Sequence, residues 1–427
     1  MAIKSLALTF IAVCFSASLA SAAQPYGIEW AKWTEMAKAT GVASDRTGNL
    51  MVIGNFCRTC TERDDAFLSK FDSSGTELWR QRLGSSGGNE SFGLAVDQNG
   101  DSYVTGYTTG NLDGQNLGGT DAFLSKIDNQ GNLLWTNQFG SDRDEQGNAV
   151  AVDLFGNAYT AGHVHSALGN YESILTKFDA DGNHSWTRTL TREPFEIAHS
   201  IAVDSLSNVY LGGRSSTGGF LTKFDDEGNS LWNFRVGTDS NTNVQSLVVD
   251  DNDQVYAAGI TDDASIAPWE RTADAFLIKL DGLGNRLWTA KVATPYSESS
   301  DAVALDLFGN VYVAGTINDD PRQYSEFVDM TLSKYDSDGK AIWTQRVESP
   351  MLDIPLSVAA DPEGNLYLAG YTESRLLVTV PRNEFPVSFL MRFSTNVPEP
   401  SSILLLVVAA GCGFLPPMRL RMSRRIG

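Results

Sequence analysis

The chain has 427 residues, with 52 acidic against 32 basic side chains and a formal net charge of −20 at pH 7. So acidic a surface excludes nucleic acid as a partner, because phosphate binding needs a basic one. Four cysteines in 427 residues also exclude a disulfide-built scaffold.

Residues 1–22 carry Lys4, an apolar run from Leu6 to Phe15, and Ala20-Ser21-Ala22 as a small-residue cleavage site. They read as a secretory signal peptide, removed on export. The next segment, Ile28 to Trp33, reads as a strand carrying Trp30.

A repeat then takes over, with a period of roughly fifty residues. Its first sentence places an Asp after a small apolar strand, then a turn, then a second strand with Tyr. That Asp recurs at Asp45, Asp97, Asp153, Asp204, Asp250, Asp306 and Asp361. In the third copy the first strand is expected at Ala149 to Val152, the turn at Asp153 to Asn157 and the second strand at Ala158 to Ala161. A third strand is expected at Ser173 to Phe178. A hairpin at Asp179 to Asn183 then leads to a fourth strand with Trp186. Gly182 sits where such a hairpin needs a left-handed residue, and Gly75, Gly131, Gly228, Gly284 and Gly339 match it.

Each unit is therefore four antiparallel strands, apolar on both faces, and must be sandwiched between neighbours. The ends imply a ring. The first Asp unit follows a Trp strand with no Lys strand before it. The last, at Asp361, is followed by Ser388 to Phe393 with no Trp strand after it. The two partial units add up to one blade. The expected fold is all-β: a seven-bladed β-propeller over residues 28–396, closed by an N-terminal outer strand.

The spacing separates framework from variation. Trp79, Trp135, Trp186, Trp232, Trp288 and Trp343 each stand 18 residues before the next Asp, and 9 residues after Lys70, Lys126, Lys177, Lys223, Lys279 and Lys334. The step from Asp to Lys runs instead from 19 to 31 residues, with Arg392 as the seventh cation. All the variation thus falls in the connection between second and third strands. In a ring those seven loops share one face, the usual place for binding in repeat folds. The expected loops include Tyr107 to Thr120, His163 to Tyr171, Ile260 to Ala273, Thr316 to Val328 and Tyr371 to Pro386. Trp269, Arg271, Tyr324, Phe327 and Arg382 are the candidate ligand anchors.

Other candidates have plainer readings. Cys57 and Cys60 lie in a variable loop with no helix start to lower a thiol pKa, so a loop-stapling disulfide is expected rather than a redox pair. Zinc would need further ligands at matched spacing. His163 and His165 stand two apart and read as loop residues, with Glu172 the one further ligand type near them. Acidic turns such as Asp179-Ala-Asp181-Gly faintly resemble calcium loops, but are too short to supply the oxygens calcium takes, and read as hairpins. The repeated Lys is expected to lay its stem on apolar surface with its head on a carboxylate, such as the repeated Asp. Catalytic residues, metal and cofactor are all expected to be none, calcium remaining the one candidate ion.

The chain ends on Pro398-Glu399-Pro400, an apolar run from Ile403 to Leu415, and Arg419, Arg421, Arg424 and Arg425. A short apolar anchor with a basic cytoplasmic stop fits transient insertion in a membrane.

The paired sentences Gly-Asn-x-Tyr-x-x-Gly and Phe-Leu-x-Lys-x-Asp-x-x-Gly-x-x-x-Trp resemble the bacterial β-propeller repeats known as SBBP repeats, over about Ile28 to Asn396. Residues 397–427 resemble a PEP-CTERM sorting signal. That resemblance implies an exosortase that cleaves near Pro398-Glu399-Pro400 and delivery to the cell surface or the exopolysaccharide matrix. The Asp-x-x-Gly-x-x-x-Trp segment also resembles the blade motif of quinoprotein dehydrogenases and of outer-membrane assembly propellers. Against the first, the Cys pair lies in a variable loop and seven blades are counted rather than eight. The expectation is an exported, non-enzymatic binding or scaffold protein for a polysaccharide or an envelope protein. The alternatives are a glycan hydrolase or lyase, a quinoprotein-like oxidoreductase, and an assembly scaffold for other proteins.

Overall fold

A computed structural model describes residues 28–34, 38–56, 65–84, 87–165, 169–190, 195–237, 241–262, 273–292, 297–318, 328–347, 352–373 and 387–393. These all fall within one compact unit, Ile28–Asn396. The proposed signal peptide, the sorting tail, Cys57, Cys60, Trp269, Arg271, Tyr324, Phe327 and Arg382 lie outside the described residues.

Seven antiparallel sheets make up the fold. In the third, the strands run Glu145–Val152, Ala158–His165, Tyr171–Phe178 and His184–Leu190, in that spatial order. The first strands of successive sheets contact one another around the whole circle, from the strand Lys38–Ser44 back to it through Asp353–Ala360. Burial follows position. The second strand is buried on both faces, as in Ser102–Thr108, while the outer strand Leu133–Phe139 is partly exposed throughout.

Closure is as the partial units predict. The strand Ile28–Thr34 pairs antiparallel with Val387–Phe393, Ile28 opposite Phe393, and becomes the outer strand of the seventh blade. The core lies between blades rather than within them. Leu50, Val52 and Phe71 of the first blade pack with Ala359, Tyr367 and Leu390 of the seventh. Tyr159 and Leu175 pack likewise with Ile201, Leu211 and Phe220 of the next blade. Burying each such side chain is worth about 1.5–3 kcal/mol, so a blade without neighbours forgoes most of its stabilisation.

The strands are longer than the alternation suggests. His163 and His165 belong to the strand Ala158–His165, not to a loop. The His163 ring meets Tyr171 edge-on and the His165 ring meets it tilted, with centroids 5.0 and 5.2 Å away, and the pairing runs beyond Ala161 to His165 opposite Tyr171.

The repeated residues hold one another. Each framework Asp accepts the backbone N–H group four residues on, and all but Asp361 also accept the one two residues on; Asp153 Oδ1 takes those of Phe155 and Asn157 at 2.9 Å. In six blades its other oxygen takes the Tyr hydroxyl of the second strand, as in Tyr312 to Asp306 and Tyr367 to Asp361, both at 2.9 Å, while the first blade has Met51 at that position. Lys70 pairs with Asp45 at 3.1 Å and Lys223 with Asp204 at 3.0 Å, the partner expected from the sequence. Lys177 instead reaches Asp226 of the next blade's hairpin. The Lys heads also lie over the Tyr rings, Lys279 at 4.6 Å from Tyr256.

Trp joins blade to blade. The Trp232 indole donates to Gly282 O of the following blade at 3.2 Å, and Trp30 to Ser73 O at 3.2 Å across the closure. The hairpin Gly serves this contact as well as its own left-handed φ of 76–91°. A Cβ on Gly284 would stand 2.9 Å from Trp232, and one on Gly339 would stand 2.6 Å from Trp288.

Candidate functional site

With the framework side chains paired to one another, the residues that differ from blade to blade are where chemistry can lie. The first strands place one such set together. Each is interrupted at the same point, five residues before its Asp. The register slips between Ala39 and Gly41, Ser91 and Gly93, and Gly147 and Ala149. It slips again between Ala198 and Ser200, Val244 and Ser246, and Pro355 and Ser357. In the sixth blade the ladder is irregular between Glu298 and Ala302, where Ser299 N–H still donates to Thr316 O at 3.0 Å and Asp301 N–H to Ala314 O at 2.9 Å. A β-bulge leaves one residue unpaired and re-aims its side chain. Here the seven extra residues are Thr40, Phe92, Asn148, His199, Gln245, Asp301 and Leu356, and all line a central cavity of about 200 Å³.

The residue after each bulge is small in every blade: Gly41, Gly93, Ala149, Ser200, Ser246, Ala302 and Ser357. Close approach of neighbouring first strands requires this. A Cβ on Gly93 would stand 2.7 Å from the Ala149 Cα. Two of the three Ser bridge the strands: Ser246 Oγ accepts Val303 N–H at 3.2 Å, and Ser357 Oγ accepts Val42 N–H at 3.1 Å.

The ring divides by polarity. Asn148, His199, Gln245 and Asp301 come from four consecutive blades, the third to the sixth. Leu356, Thr40 and Phe92 come from the remaining three, so the cavity has a polar wall and a mostly apolar one. Asn148 Nδ2 donates to Ala198 O at 2.7 Å and lies 3.2 Å from His163 Nδ1. Asp301 accepts from Ser299 Oγ at 2.6 Å and from the Gln245 side chain. Burial nevertheless pushes its carboxyl up to about 6. Burial also brings the His199 imidazole down to about 4, with the cationic Arg214 and then His163 adding to the effect. His163 is lowered to about 4 in the same way, by burial first and then by His165 and Arg214. His199 is therefore a neutral ring at pH 7, and its Nε2 is buried without a hydrogen-bond partner. The wall offers uncharged donors and acceptors and one weakly acidic carboxyl.

This ring was missed in the sequence, though it left a signal: a varied residue followed by a small one, at fixed distance before every Asp. The expected loop face is described only in part. Its long second-blade connection is ordered by its own contacts, Asn111 Oδ1 accepting Asn116 N–H at 2.9 Å and Asp121 Oδ2 accepting Leu117 N–H at 2.9 Å. In the fourth blade the same connection shrinks to a tight turn between Val209–Ser215 and Gly218–Phe224. The acidic turns are hairpins, with Asp179 taking Asp181 and Asn183 N–H groups on Oδ1 and the Asn183 amide on Oδ2. Among the described residues no three His, Cys, Asp or Glu side chains converge as a metal site.

Fold and channel together define a seven-bladed β-propeller of four-stranded antiparallel blades. Residues 78–113, from an outer strand into the next blade, match the family model for the SBBP β-propeller repeat. A curated relative, an uncharacterized WD repeat-containing protein of Acanthamoeba polyphaga mimivirus, is 26% identical over 117 residues. That match spans 23% of this chain and only 8% of the relative's length. Among solved structures, the Neurospora crassa Pan2 WD40 domain is similar with a TM-score of 0.50 and 9% identity, over 85% of this chain and 95% of that one. Polysaccharide lyase Uly1 is similar with a TM-score of 0.51 and 10% identity, over 84% and 90%. At such identities the likeness is one of fold.

Proposed function

We propose that this chain is an exported propeller, sorted to the cell surface or extracellular matrix, that binds a polysaccharide or an envelope protein and catalyses no reaction. One observation carries the reading. The repeated polar residues are consumed in the blade framework, whereas residues that differ between blades gather on the channel bulges. The channel chemistry favours holding over cleaving. Glycosidic hydrolysis takes two carboxyl groups facing one bond, and the bulge ring carries one, Asp301. His199 is separated from it by the blade of Gln245. The anchor residues of the loop face would be Trp269, Arg271, Tyr324, Phe327 and Arg382.

Export rests on residues 1–22, and sorting on Pro398-Glu399-Pro400 with Arg419, Arg421, Arg424 and Arg425. An exosortase-like enzyme would cut near the tripeptide after transient membrane anchoring. A glycan array probed with the purified protein, with and without calcium, tests the binding role. Retention of an unmodified glycan supports it; release of shortened or unsaturated products would make the chain an enzyme, and silence on every glycan would remove the polysaccharide. Replacing Pro398, Glu399 and Pro400 with Ala should leave an uncleaved, membrane-held form. Normal release of that variant would contradict sorting by cleavage.

A further inference from the structure

We propose that the channel ring is a binding site for a single neutral sugar residue, such as a chain end or a side branch of the polysaccharide. This deepens the polysaccharide reading above and rests on it.

The cavity of about 200 Å³ far exceeds the ~10–15 Å³ that one water needs. It falls below the ~300 Å³ at which drug-sized pockets begin. One six-membered ring with its hydroxyls is of that order. The two walls match the two sides of such a ring. A sugar hydroxyl both donates and accepts, and so do the amide of Gln245 and the neutral imidazole of His199, while Asn148, its Nδ2 held by Ala198 O, can add its Oδ1 as an acceptor. Asp301 adds an acceptor between two blades.

The opposite wall fits the C–H side of the ring. Phe92 faces the cavity and is braced by Tyr107, with ring centroids 5.9 Å apart, and Leu356 lines the cavity beside Thr40. The electron-rich face of an aromatic ring attracts polarised hydrogens. Charge argues for a neutral guest. An anion would meet Asp301 inside a protein of net charge −20. A cation would find one carboxyl and, with His199 and Gln245 beside it, no second. The bulges explain how a repeat fold can present seven different side chains to one guest: each lies outside the ladder, so its identity is free of the pairing that fixes its neighbours.

The test measures binding of glucose, galactose and N-acetylglucosamine to the full protein by saturation-transfer NMR and calorimetry, for wild type, Phe92→Ala, Asp301→Asn and, on the turn face, Leu307→Ser. Leu307 is exposed and does not line the cavity. Thermal unfolding checks that each variant folds, and Phe92→Leu serves if Phe92→Ala does not. The expected result is binding of at least one sugar, weakened tenfold or more by Phe92→Ala and by Asp301→Asn and unchanged by Leu307→Ser. If glycans bind but the channel variants bind them as wild type does, the channel site is wrong and the polysaccharide reading stands. If glycan chains bind while none of the monosaccharides does, the single-residue site is likewise wrong. If neither chains nor monosaccharides bind, both readings fall together.

Discussion

Gly309 and Gly339 belong to the same blade and share a left-handed backbone, φ 79° and 81°. They differ in what a side chain would meet. A Cβ on Gly309 points into open space, while one on Gly339 would stand 2.6 Å from the Trp288 ring of the preceding blade. Replacing either by Ala incurs the left-handed strain, about 1–2 kcal/mol. Part is recovered because Ala narrows the unfolded ensemble, by about 0.4–1 kcal/mol. Gly309→Ala should therefore cost about 1 kcal/mol. Gly339→Ala should cost a further ~1–3 kcal/mol, because the indole must move and overpacking carries that penalty. Urea unfolding followed by tryptophan fluorescence gives both values. Adding Trp288→Ala to each should bring the two Gly variants together, since the clash is then gone. Equal destabilisation of Gly309→Ala and Gly339→Ala in the wild-type background would refute the claim that the hairpin Gly is a seat for its neighbour's Trp.

Three further outcomes follow from the ion pairs and the channel. Lys223 faces Asp204, whose side chain is fully buried, so Lys223→Met should cost about 3 kcal/mol by leaving a buried carboxylate short of its cation. Lys177→Met should cost under about 1 kcal/mol, because Asp226 is 46% exposed and water replaces the ammonium; a reversed order in urea midpoints would reject the burial argument. Stability should fall as pH drops from 6.5 to about 4, since the unfolded chain then protonates His163 and His199 while burial in the fold keeps both neutral down to about 4. Asp301 acts in the opposite sense: its folded carboxyl takes a proton near 6, before the unfolded one at 3.8, so it adds stability as pH falls through that interval. Two groups against one leave a net loss of about 3 kcal/mol. Asp301→Asn should steepen that loss and raise stability at pH 7, and a midpoint that is flat or rises between pH 6.5 and 4.5 would exclude this balance.

The blade framework was legible because its residues act in fixed pairs. Tyr stands six residues after its Asp in six blades, and Trp stands nine after its Lys and 18 before the next Asp, and a constant spacing survives in a sequence even where the Asp–Lys and Trp–Gly contacts span unequal loops. The channel ring was hidden by the parity of a strand. Sequence alternation assigns Asn148 by counting from Ala149, but the bulge inserts a residue and turns the count over, so the face of each bulged side chain is wrong by one. His163 and His165 were assigned to a loop because nothing local marks them as paired. What pairs them is the strand alongside, Tyr171–Phe178. The loop anchors Trp269, Arg271, Tyr324, Phe327 and Arg382 were chosen by residue type in segments of unequal length, where no periodicity constrains geometry.

The seventh blade has a mechanical consequence. Its outer strand and its third strand come from opposite ends of the chain and lie antiparallel, Ile28 beside Phe393. A force drawing those two ends apart loads the hydrogen bonds one after another, from Ile28–Phe393 towards Thr34–Ser388, rather than all together. The ring is thus a zipper that opens from the end where Ile28 lies beside Phe393. Whatever tethers one of those two ends should leave the other untensioned, and a load entering through the tail reaches the ring by the covered third strand, not by the strand that would peel.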